Sequence, residues 1–356
     1  MDRGHERTEQ VIKKIEKRLR DEFTQAAAEV QETLDDYMKR FKLKDAKWQE
    51  WVKDGTHTAE EYAKWRKQQI MAGDRWRTLK EQLAADMVNA TITARSIAES
   101  YMPEIWEINH NYAIYQVEMD NGIETSLTLY NREAIAEIII KDPDLMPMGK
   151  KVLGDIARGK AKRWERQKVQ SIMLQGIMQG KSNVRIANDI AKKLANGDFK
   201  ASMRYARTMS TNAQNAGRYG AYRRLEDSGV PLTLEWAATL DGRTRHEHRM
   251  MHGQRRNVNE PFVVDGVEIL YPAWMGMGDY KVPPDMVWNC RCTILAYVKG
   301  FEHDTIRQSK KMDGMSFEEW LEAKPVSDPI TKQRDIGNKM RAINAARYKD
   351  KKKGGK

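Results

Sequence analysis

The chain has 356 residues and a formal net charge of +11, and its charged and hydrophobic residues make up 32% and 40% of the total. This length allows two or three domains with a sizeable core. No run of about 18 apolar residues occurs, so we expect no membrane span, and the N-terminus lacks the apolar segment of a signal peptide. The positive charge favours contact with polyanions such as nucleic acid, although solubility alone also explains it.

The first hundred residues have the apolar spacing of long helices. Apolar residues recur every three or four positions over residues 9–41, which predicts one amphipathic helix. Residues 42–55 look like a break that contains a short helix. A second long helix is predicted over residues 58–101, with Glu61 completing a capping box at its start and Pro103 ending it.

We treat residues 1–105 as an N-terminal helical arm that carries several tryptophans, of which Trp48, Trp51, Trp65 and Trp76 can be placed. A pair of helices this thin leaves such rings partly exposed, and aromatic residues are favoured at the centres of protein interfaces. This pattern predicts that the arm contacts a partner protein. The alternative is that the rings pack inside a self-contained helical pair or against the region that follows it.

The periodicity changes in the next region, for which we take the bounds 106–149. Apolar and polar residues alternate over residues 112–130 on both sides of the turn-forming residues 120–122, which predicts a β-hairpin. A short helix is predicted over residues 132–141, and the Pro-containing stretch after it marks a boundary.

Three further helices are predicted over residues 150–179, 182–194 and 201–227, separated by glycine-containing breaks. The third helix carries a basic set that fits either a solvated helix face or a surface for phosphate or an acidic partner: Arg204, Arg207, Arg218, Arg223 and Arg224.

Short strand patterns dominate the region after these helices. A strand is predicted over residues 232–237, a second hairpin over 262–270 and a closing strand over 293–298. A helix near residues 317–323 and a basic, disordered tail complete a C-terminal region, 301–356. The predicted fold class is therefore α+β: mainly helical, with long N-terminal helices and a β-hairpin, followed by a helical segment and a small mixed α/β domain.

The stretch 236–292 holds both cysteines and three of the seven histidines. Thiolates and imidazoles are good zinc ligands, so the sequence predicts a zinc site made by His248, His252, Cys290 and Cys292. The two histidines are four residues apart and share one face of a helix. His246 is the alternative fourth ligand. Two cysteines separated by one residue make no disulfide framework, which favours a reducing compartment.

A structural interpretation of the same residues stays open. In it, His248 bonds the turn near Asp241, and the cysteines pack as small apolar groups. Asp241 is expected to pair with Arg243 or Arg245 and so to lock its loop. A metal-dependent nuclease would instead gather around one cation the side chains of Asp241, His246, His248 and Asn289.

Two boxes in this stretch resemble a known family. The first, of the form D-x-R-x-R-x-x-H-x(4)-G, comprises Asp241, Arg243, Arg245, His248 and Gly253. The second comprises Pro283, Pro284, Trp288, Asn289, Cys290, Arg291 and Cys292. Both are similar to the boxes of the phage head morphogenesis family, the Mu F-like minor head proteins, and residues 207–222 resemble the helix before the first box. The resemblance extends from about residue 176 to residue 298, and a domain is predicted over 150–300. At position 252 the family often has Asp, whereas this chain has His.

The resemblance implies a non-enzymatic minor head protein inside the capsid near the portal, acting in head assembly and in DNA packaging or delivery. The implied partners are the portal protein, other head or scaffold proteins and non-specifically bound DNA. The implied locations are the virion and, during assembly, the host cytoplasm. The alternative is a metal-dependent nuclease or a toxin carrying a Mu F-like domain. We expect the residues after Val298 to be too few for an ordinary catalytic domain.

Overall fold

The structure, a computed structural model, describes residues 3–71, 74–132, 135, 160–178, 183–277, 279–300 and 315–326. Most of the predicted helix at 132–141 and the predicted basic tail lie outside them. The chain divides into two compact units, one made of Met1–Lys13, Glu99–Met148 and Ala206–Lys356 and the other of Lys14–Ala98 and Gly149–Tyr205. Among the described helices, none is both long and apolar enough to cross a bilayer. The predicted class, mainly helical with a small mixed α/β region, is confirmed.

The long helices are α1 (Arg3–Lys53), α2 (Ala59–Met71), α3 (Asp74–Ser100), α4 (Met102–Asn121), α5 (Lys160–Met178) and α6 (Asn183–Asp227). The predicted break at 42–55 is wrong, because α1 continues to Lys53. The charged residues that suggested the break are good helix formers, and Gly55 in the left-handed region is the first residue that stops the helix. The predicted capping box is confirmed: Glu61 N–H donates to Thr58 Oγ1 (3.1 Å) and Thr58 N–H donates to the Glu61 carboxylate (2.8 Å).

The predicted break near residue 197 is also wrong, because α6 runs through Gly197 without interruption. A glycine inside a helix costs about 1 kcal/mol relative to alanine, and packing on both sides of it outweighs that cost. Ile190 and Leu194 are buried before it, and Asp198 and Ser202 are buried after it. The helix ends as predicted, before Gly229.

The predicted hairpin over 112–130 is wrong. Its first half is the end of α4, and its second half has no strand apart from an isolated bridge between Leu129 and Val326. Asn109 and His110 are buried in α4. Both are polar, so a hydropathy pattern does not count them as core residues, and without them the helical spacing of the buried face is not visible. Gly122 was read as a hairpin turn, but it is the left-handed residue that ends the helix (φ 60°), and Gly122 and Ile123 N–H groups donate back to Met119 and Glu118 carbonyls.

The basic set on α6 does not form a single solvated face. Arg218, Arg223 and Arg224 are buried, and the Arg224 guanidinium lies 4.0 Å from the centre of the Tyr130 ring. Only Arg204 and Arg207 are exposed. Most of this charge is therefore used inside the fold.

The strands form small antiparallel sheets. A three-stranded sheet has the order β2 (Arg255–Asn257), β1 (Leu232–Ala237) and β7 (Thr293–Val298), and β1 pairs with β7 over its full length. Two hairpins are made by β3 (Phe262–Val264) with β4 (Val267–Ile269) and by β5 (Gly276–Met277) with β6 (Tyr280–Lys281). Short helices α7 (His246–Met251) and α8 (Pro284–Val287) lie in the connections, and α9 (Phe317–Ala323) follows. The strands predicted at 232–237 and 293–298, the hairpin at 262–270 and the helix at 317–323 are confirmed.

The aromatic residues of the arm pack across the turn between α1 and α2. Trp65 stacks on Trp48 and Phe41, with ring centres 5.3 and 5.8 Å apart, and Trp48 also contacts Trp51 and His57. This is the arrangement that the self-packed alternative describes. Even so, Trp51 keeps 38% of its surface exposed and Leu43 keeps 65%.

Residues on α4 and α9 share a buried ion pair. Lys324 Nζ lies 2.7 Å from Glu118 Oε1, and their side chains are 8% and 0% exposed. Trp320 Nε1 donates to the other carboxylate oxygen (2.7 Å), and Thr125 N–H donates to Oε1 (2.9 Å). Both oxygens of this carboxylate are thereby engaged, so α9 is held on α4 by polar as well as aromatic contacts.

This ion pair gives a stability prediction. Lys324→Met leaves the Glu118 carboxylate buried without its cation, and we expect the free energy of unfolding to fall by roughly 3 to 5 kcal/mol. The further change Glu118→Gln removes the orphaned charge and should restore part of that loss. Urea unfolding of both variants measures the effect, with exposed Lys299→Met as the control. Equal stability of Lys324→Met and the parent would contradict the assignment.

Candidate functional site

One face of α6 carries polar side chains that bind the backbone of the second box. Thr211 Oγ1 donates to the carbonyl of Cys290 (2.9 Å), and Asn215 Nδ2 donates to the carbonyl of Cys292 (3.1 Å). Asn215 Oδ1 accepts from the N–H of Ile294 (3.2 Å). Both carbonyls that flank residue 291 are therefore fixed by one helix.

Two further residues on the same face of α6 also bind backbone groups. Thr208 Oγ1 accepts from the N–H of Asn289 (3.1 Å), and Asn212 Nδ2 donates to the carbonyl of Ala273 (2.8 Å). Asn289 has a left-handed backbone (φ 57°), which Asn tolerates better than most residues. We call Thr208, Thr211, Asn212 and Asn215 the α6 stripe. Their spacing of three and four residues places all of them on one side of the helix.

The α6 stripe holds the two cysteines beside His248 of α7. His248 Nδ1 lies 3.1 Å from Cys292 Sγ and 3.6 Å from Cys290 Sγ. The three potential ligand atoms lie within 4.8 Å of one another, and each residue is 3% exposed. Three of the four predicted zinc ligands are thus brought together in the core of the small α/β region.

The two thiols have opposite acidities. A hydrogen bond from the Cys290 thiol, followed by one from His248, lowers the pKa of Cys292 to about 5 against the opposing effect of burial. Burial raises the pKa of Cys290 well above its usual range. A thiolate at Cys292 stabilised by a neighbouring thiol and imidazole follows from this arrangement.

The surroundings of the cluster are apolar on the side of β1. The Trp236 ring packs edge-on against His248 with a centre-to-centre distance of 6.1 Å, and it packs against Phe262 at 5.3 Å. His248 Nε2 is buried and has no hydrogen-bond partner among the described residues. The cluster departs from common structural zinc sites in two ways: a metal-bound histidine usually donates its second nitrogen to a partner, and such sites have four protein ligands where the described residues bring together three.

The other two histidines of the first box lie outside the cluster. His252 is exposed just after α7, and its Nδ1 accepts a hydrogen bond from the N–H of Ala238 (3.2 Å). His246 is exposed at the start of α7. His252 does not follow the predicted i, i+4 pairing with His248, because α7 ends at Met251 and Gly253 turns the chain with φ 77°.

The two boxes are joined by a two-pronged ion pair. Arg291 Nη1 and Nη2 lie 2.6 and 2.7 Å from the two carboxylate oxygens of Asp241. The predicted pairing of Asp241 with the Arg243 side chain is a longer contact, with Arg243 Nη2 3.7 Å from Asp241 Oδ2, and the closer link to Arg243 is its backbone N–H, which donates to Asp241 Oδ1 (2.8 Å). Hydrogen bonds from Arg291, and then from the Arg243 N–H, hold the pKa of Asp241 well below its usual range.

The nuclease arrangement is not formed. Among the described residues, the cluster suited to a metal is His248 with the two cysteines, and it includes neither Asp241 nor His246. The Asp241 carboxylate is engaged by Arg291. Asn289 is exposed, and its backbone N–H donates to Thr208 Oγ1.

The sequence does not predict the roles of the α6 stripe and of Arg291. The α6 stripe lies in the helix that resembles one in the family, and its four small polar residues at helical spacing on an otherwise buried face are a signal from which its role could have been predicted. Arg291 lies between the cysteines and was treated as part of a motif, whereas it is the partner of Asp241.

The site and fold define a helical protein with a small α/β region built around a buried His–Cys–Cys cluster. Residues 167–295 match the family model described as Phage Mu protein F like protein. The predicted resemblance is confirmed for this segment, which contains the α6 stripe, both boxes and the cluster. No solved structure matches the chain.

Two curated relatives are similar to parts of the chain. Minor head protein GP7 of Bacillus phage SPP1 is 29% identical over 178 residues, which is 46% of this chain and 54% of that protein. The protein named NAD(+)--arginine ADP-ribosyltransferase EFV, of Enterococcus faecalis, is 25% identical over 244 residues, which is 66% of this chain and 47% of that protein. The chain therefore spans about half the length of each of these relatives.

The Asp241–Arg291 pair gives a pH-dependent prediction. Because the folded-state pKa of Asp241 is lowered, its stabilising contribution is present above the unfolded pKa of about 4 and is lost as the pH falls. We expect Asp241→Asn to lower the melting temperature at pH 7, with a deficit that shrinks below about pH 4. Thermal unfolding across this range tests it, with exposed Asp279→Asn as the control. A deficit that does not change with pH would contradict the ion-pair explanation.

Proposed function

We propose that this protein is a minor component of a phage head that acts in head assembly at the portal and contacts the packaged DNA. The observation that carries the proposal is the Mu F-like segment at residues 167–295, supported by the similarity to a protein named as a minor head protein. The proposed location is the virion, and the host cytoplasm during assembly.

The architecture supports a structural role. The described part of the boxes is held together by contacts between backbone and side chains, and the polar side chains of the α6 stripe are directed into the fold. The thiolate favoured at Cys292 is buried together with its histidine, which gives no approach for a substrate. We therefore propose that the protein is not an enzyme.

A toxin is the second candidate, because one relative is named as an ADP-ribosyltransferase. That name describes a whole protein of which this chain covers 47%. Incubating the purified chain with NAD(+) and an arginine-containing acceptor tests this candidate. Transfer of ADP-ribose would overturn the non-enzymatic proposal.

Association with the portal is tested in assembled heads. We expect the protein to co-purify with portal protein. We call the exposed residues Leu43 and Trp51 near the end of α1 the tip of the arm, and we expect them to make part of this contact. The changes Leu43→Ser and Trp51→Ser should lower the amount recovered in heads several-fold. Trp164→Ser, at a ring that is 55% exposed on α5, is the matched control.

The arm is better tested by these point changes than by deletion of its first hundred residues. Residues near the N-terminus belong to the same compact unit as the boxes, and Asn109 Nδ2 donates to Thr8 Oγ1 (2.7 Å) inside it. A deletion would remove this packing together with the tip. Normal recovery of the tip variants in heads would show that the tip is not the docking element.

We further propose that His248, Cys290 and Cys292 bind zinc. Their donor set, their burial and the closeness of their ligand atoms fit zinc, whereas the unpartnered His248 Nε2 does not add the usual second contact. Bound zinc would supply structural cross-linking between α7 and the second box. We propose these three side chains as ligands and leave out His252, because its ring lies outside the cluster of described residues.

Elemental analysis and thermal unfolding test the zinc proposal. We expect about one zinc per chain and its loss when both cysteines are changed to Ser, with a lower melting temperature because metal binding is coupled to folding. His252→Ala is the control, and it should keep the metal because its ring is outside the cluster. Parent protein without zinc would end this proposal.

A further inference from the structure

The first box contains more positive charge than its fold uses. Residues 243–256 include five arginines and one acidic residue, Glu247. Arg291, from the second box, already neutralises Asp241. The five arginines of this segment are Arg243, Arg245, Arg249, Arg255 and Arg256. We call the surface formed by these five residues the arginine face.

Neutral groups hold two of these arginines in place. Arg249 donates to the carbonyls of Thr244 (3.1 Å) and Asp241 (2.7 Å). Arg256 donates to the Arg255 carbonyl (2.7 Å) and to the Gln254 side-chain oxygen. Such contacts fix the position of a guanidinium without cancelling its charge.

Two further arginines differ in whether a carboxylate neutralises their charge. The side chain of Arg243 is 81% exposed, and its nearest carboxylate, Asp241, is 3.7 Å away and already paired. Arg255 is the exception, since it lies 2.8 Å from Glu235. The segment from the first box into β2 therefore carries a group of cations, of which Arg243, Arg249 and Arg255 are exposed and Arg245 and Arg256 are half-buried, and most of them have no carboxylate of their own among the described residues.

The segments that carry the arginine face are in direct contact. The bonds from Arg249 place the loop at residues 241–244 against α7. Gln254 then donates to the carbonyls of Met250 (3.4 Å) and Val263 (3.1 Å), which places the start of β2 beside the end of α7. Because His248 and Met251 are buried, the rest of α7 faces away from the core.

We propose that the arginine face binds the phosphate backbone of duplex DNA. Residues 238–256 contain no Phe, Trp or Tyr, and the Tyr297 ring beside the face is covered by the Arg255 guanidinium, 4.7 Å from the ring centre. The segment therefore supplies no ring of its own on which the bases of a single strand could stack, and no aromatic anchor of the kind that dominates protein interfaces. Clustered, pre-positioned guanidinium groups without such rings suit a sequence-independent polyanion. This inference rests on the proposed contact with DNA and assigns it a location.

The salt dependence of DNA binding tests the assignment. A labelled duplex of mixed sequence is titrated with the full chain by fluorescence anisotropy between 50 and roughly 200 mM salt, the range over which phosphate contacts change affinity most visibly. Each phosphate contact contributes about 0.9 to the slope of log K against log salt. We expect Arg243→Gln with Arg245→Gln to reduce the slope by about 2 and to weaken binding at least about tenfold at low salt.

Two controls separate the face from overall charge. Arg163→Gln with Lys192→Gln removes the same charge from exposed positions on α5 and α6, and it should leave the slope nearly unchanged. Arg243→Lys with Arg245→Lys should restore most of the slope, because phosphate neutralisation needs only the positive charge. Melting temperatures of all the variants confirm that each is folded.

The outcomes judge the inference separately from the proposed function. If the parent binds duplex DNA and the Gln variant binds it with the same slope, the assignment of the face is wrong while DNA contact stands. If the two charge-removing variants lose equal affinity, binding is diffuse and the assignment is again wrong. If the Gln variant binds DNA normally but is lost from heads, the face is a protein interface. If the parent binds no duplex, the DNA contact and its location both fail, while co-purification with portal protein still decides the role in the head.

Discussion

The hydrogen bonds from the α6 stripe to the backbone of the second box are the constraint on which the small α/β region depends. Among the described strands, β7 pairs with β1 alone, and residues 288–292 between α8 and β7 form neither helix nor strand. Thr208, Thr211 and Asn215 supply the partners that this backbone would otherwise lack. A buried backbone group left without a partner costs about 1 to 3 kcal/mol. Small polar residues therefore occupy a helix face where apolar residues would leave the cysteine-containing loop without support.

The inside and outside of the boxes have different roles. Inside, His248 of α7 lies 3.1 Å from Cys292 Sγ and 3.6 Å from Cys290 Sγ in a buried cluster, which brings α7 into contact with the second box. At the boundary, Arg291 binds Asp241 with both prongs and ties the two boxes together. Because Arg291 already uses the Asp241 carboxylate, the arginines of the first box keep most of their charge, although Arg249 also binds the carbonyls of Thr244 and Asp241. The first box thus contributes both a contact that stabilises the fold and a positively charged surface.

The sequence predicted well those elements whose signals are local. The strands at 232–237 and 293–298 and the capping box at Glu61 depend on alternation and on residues close in the chain. The hairpin at 112–130 failed because buried Asn109 and His110 belong to a helix face through distant contacts, such as the approach of Arg224 Nη1 to His110 Nε2 at 3.2 Å. For the site, the motif indicated His248 and both cysteines. The exclusion of His252 depends on where α7 ends, and the Arg291 partnership depends on the tertiary fold.

Native-state hydrogen exchange of Asn215→Ala tests the central claim, that the α6 stripe holds the second box. This change removes the acceptor for the N–H of Ile294 and the donor to the carbonyl of Cys292. The account predicts that amides at residues 289–294 exchange at least about tenfold faster, corresponding to roughly 1.4 kcal/mol or more, while amides in the middle of α4 are unaffected. Unchanged protection at residues 289–294 would contradict it.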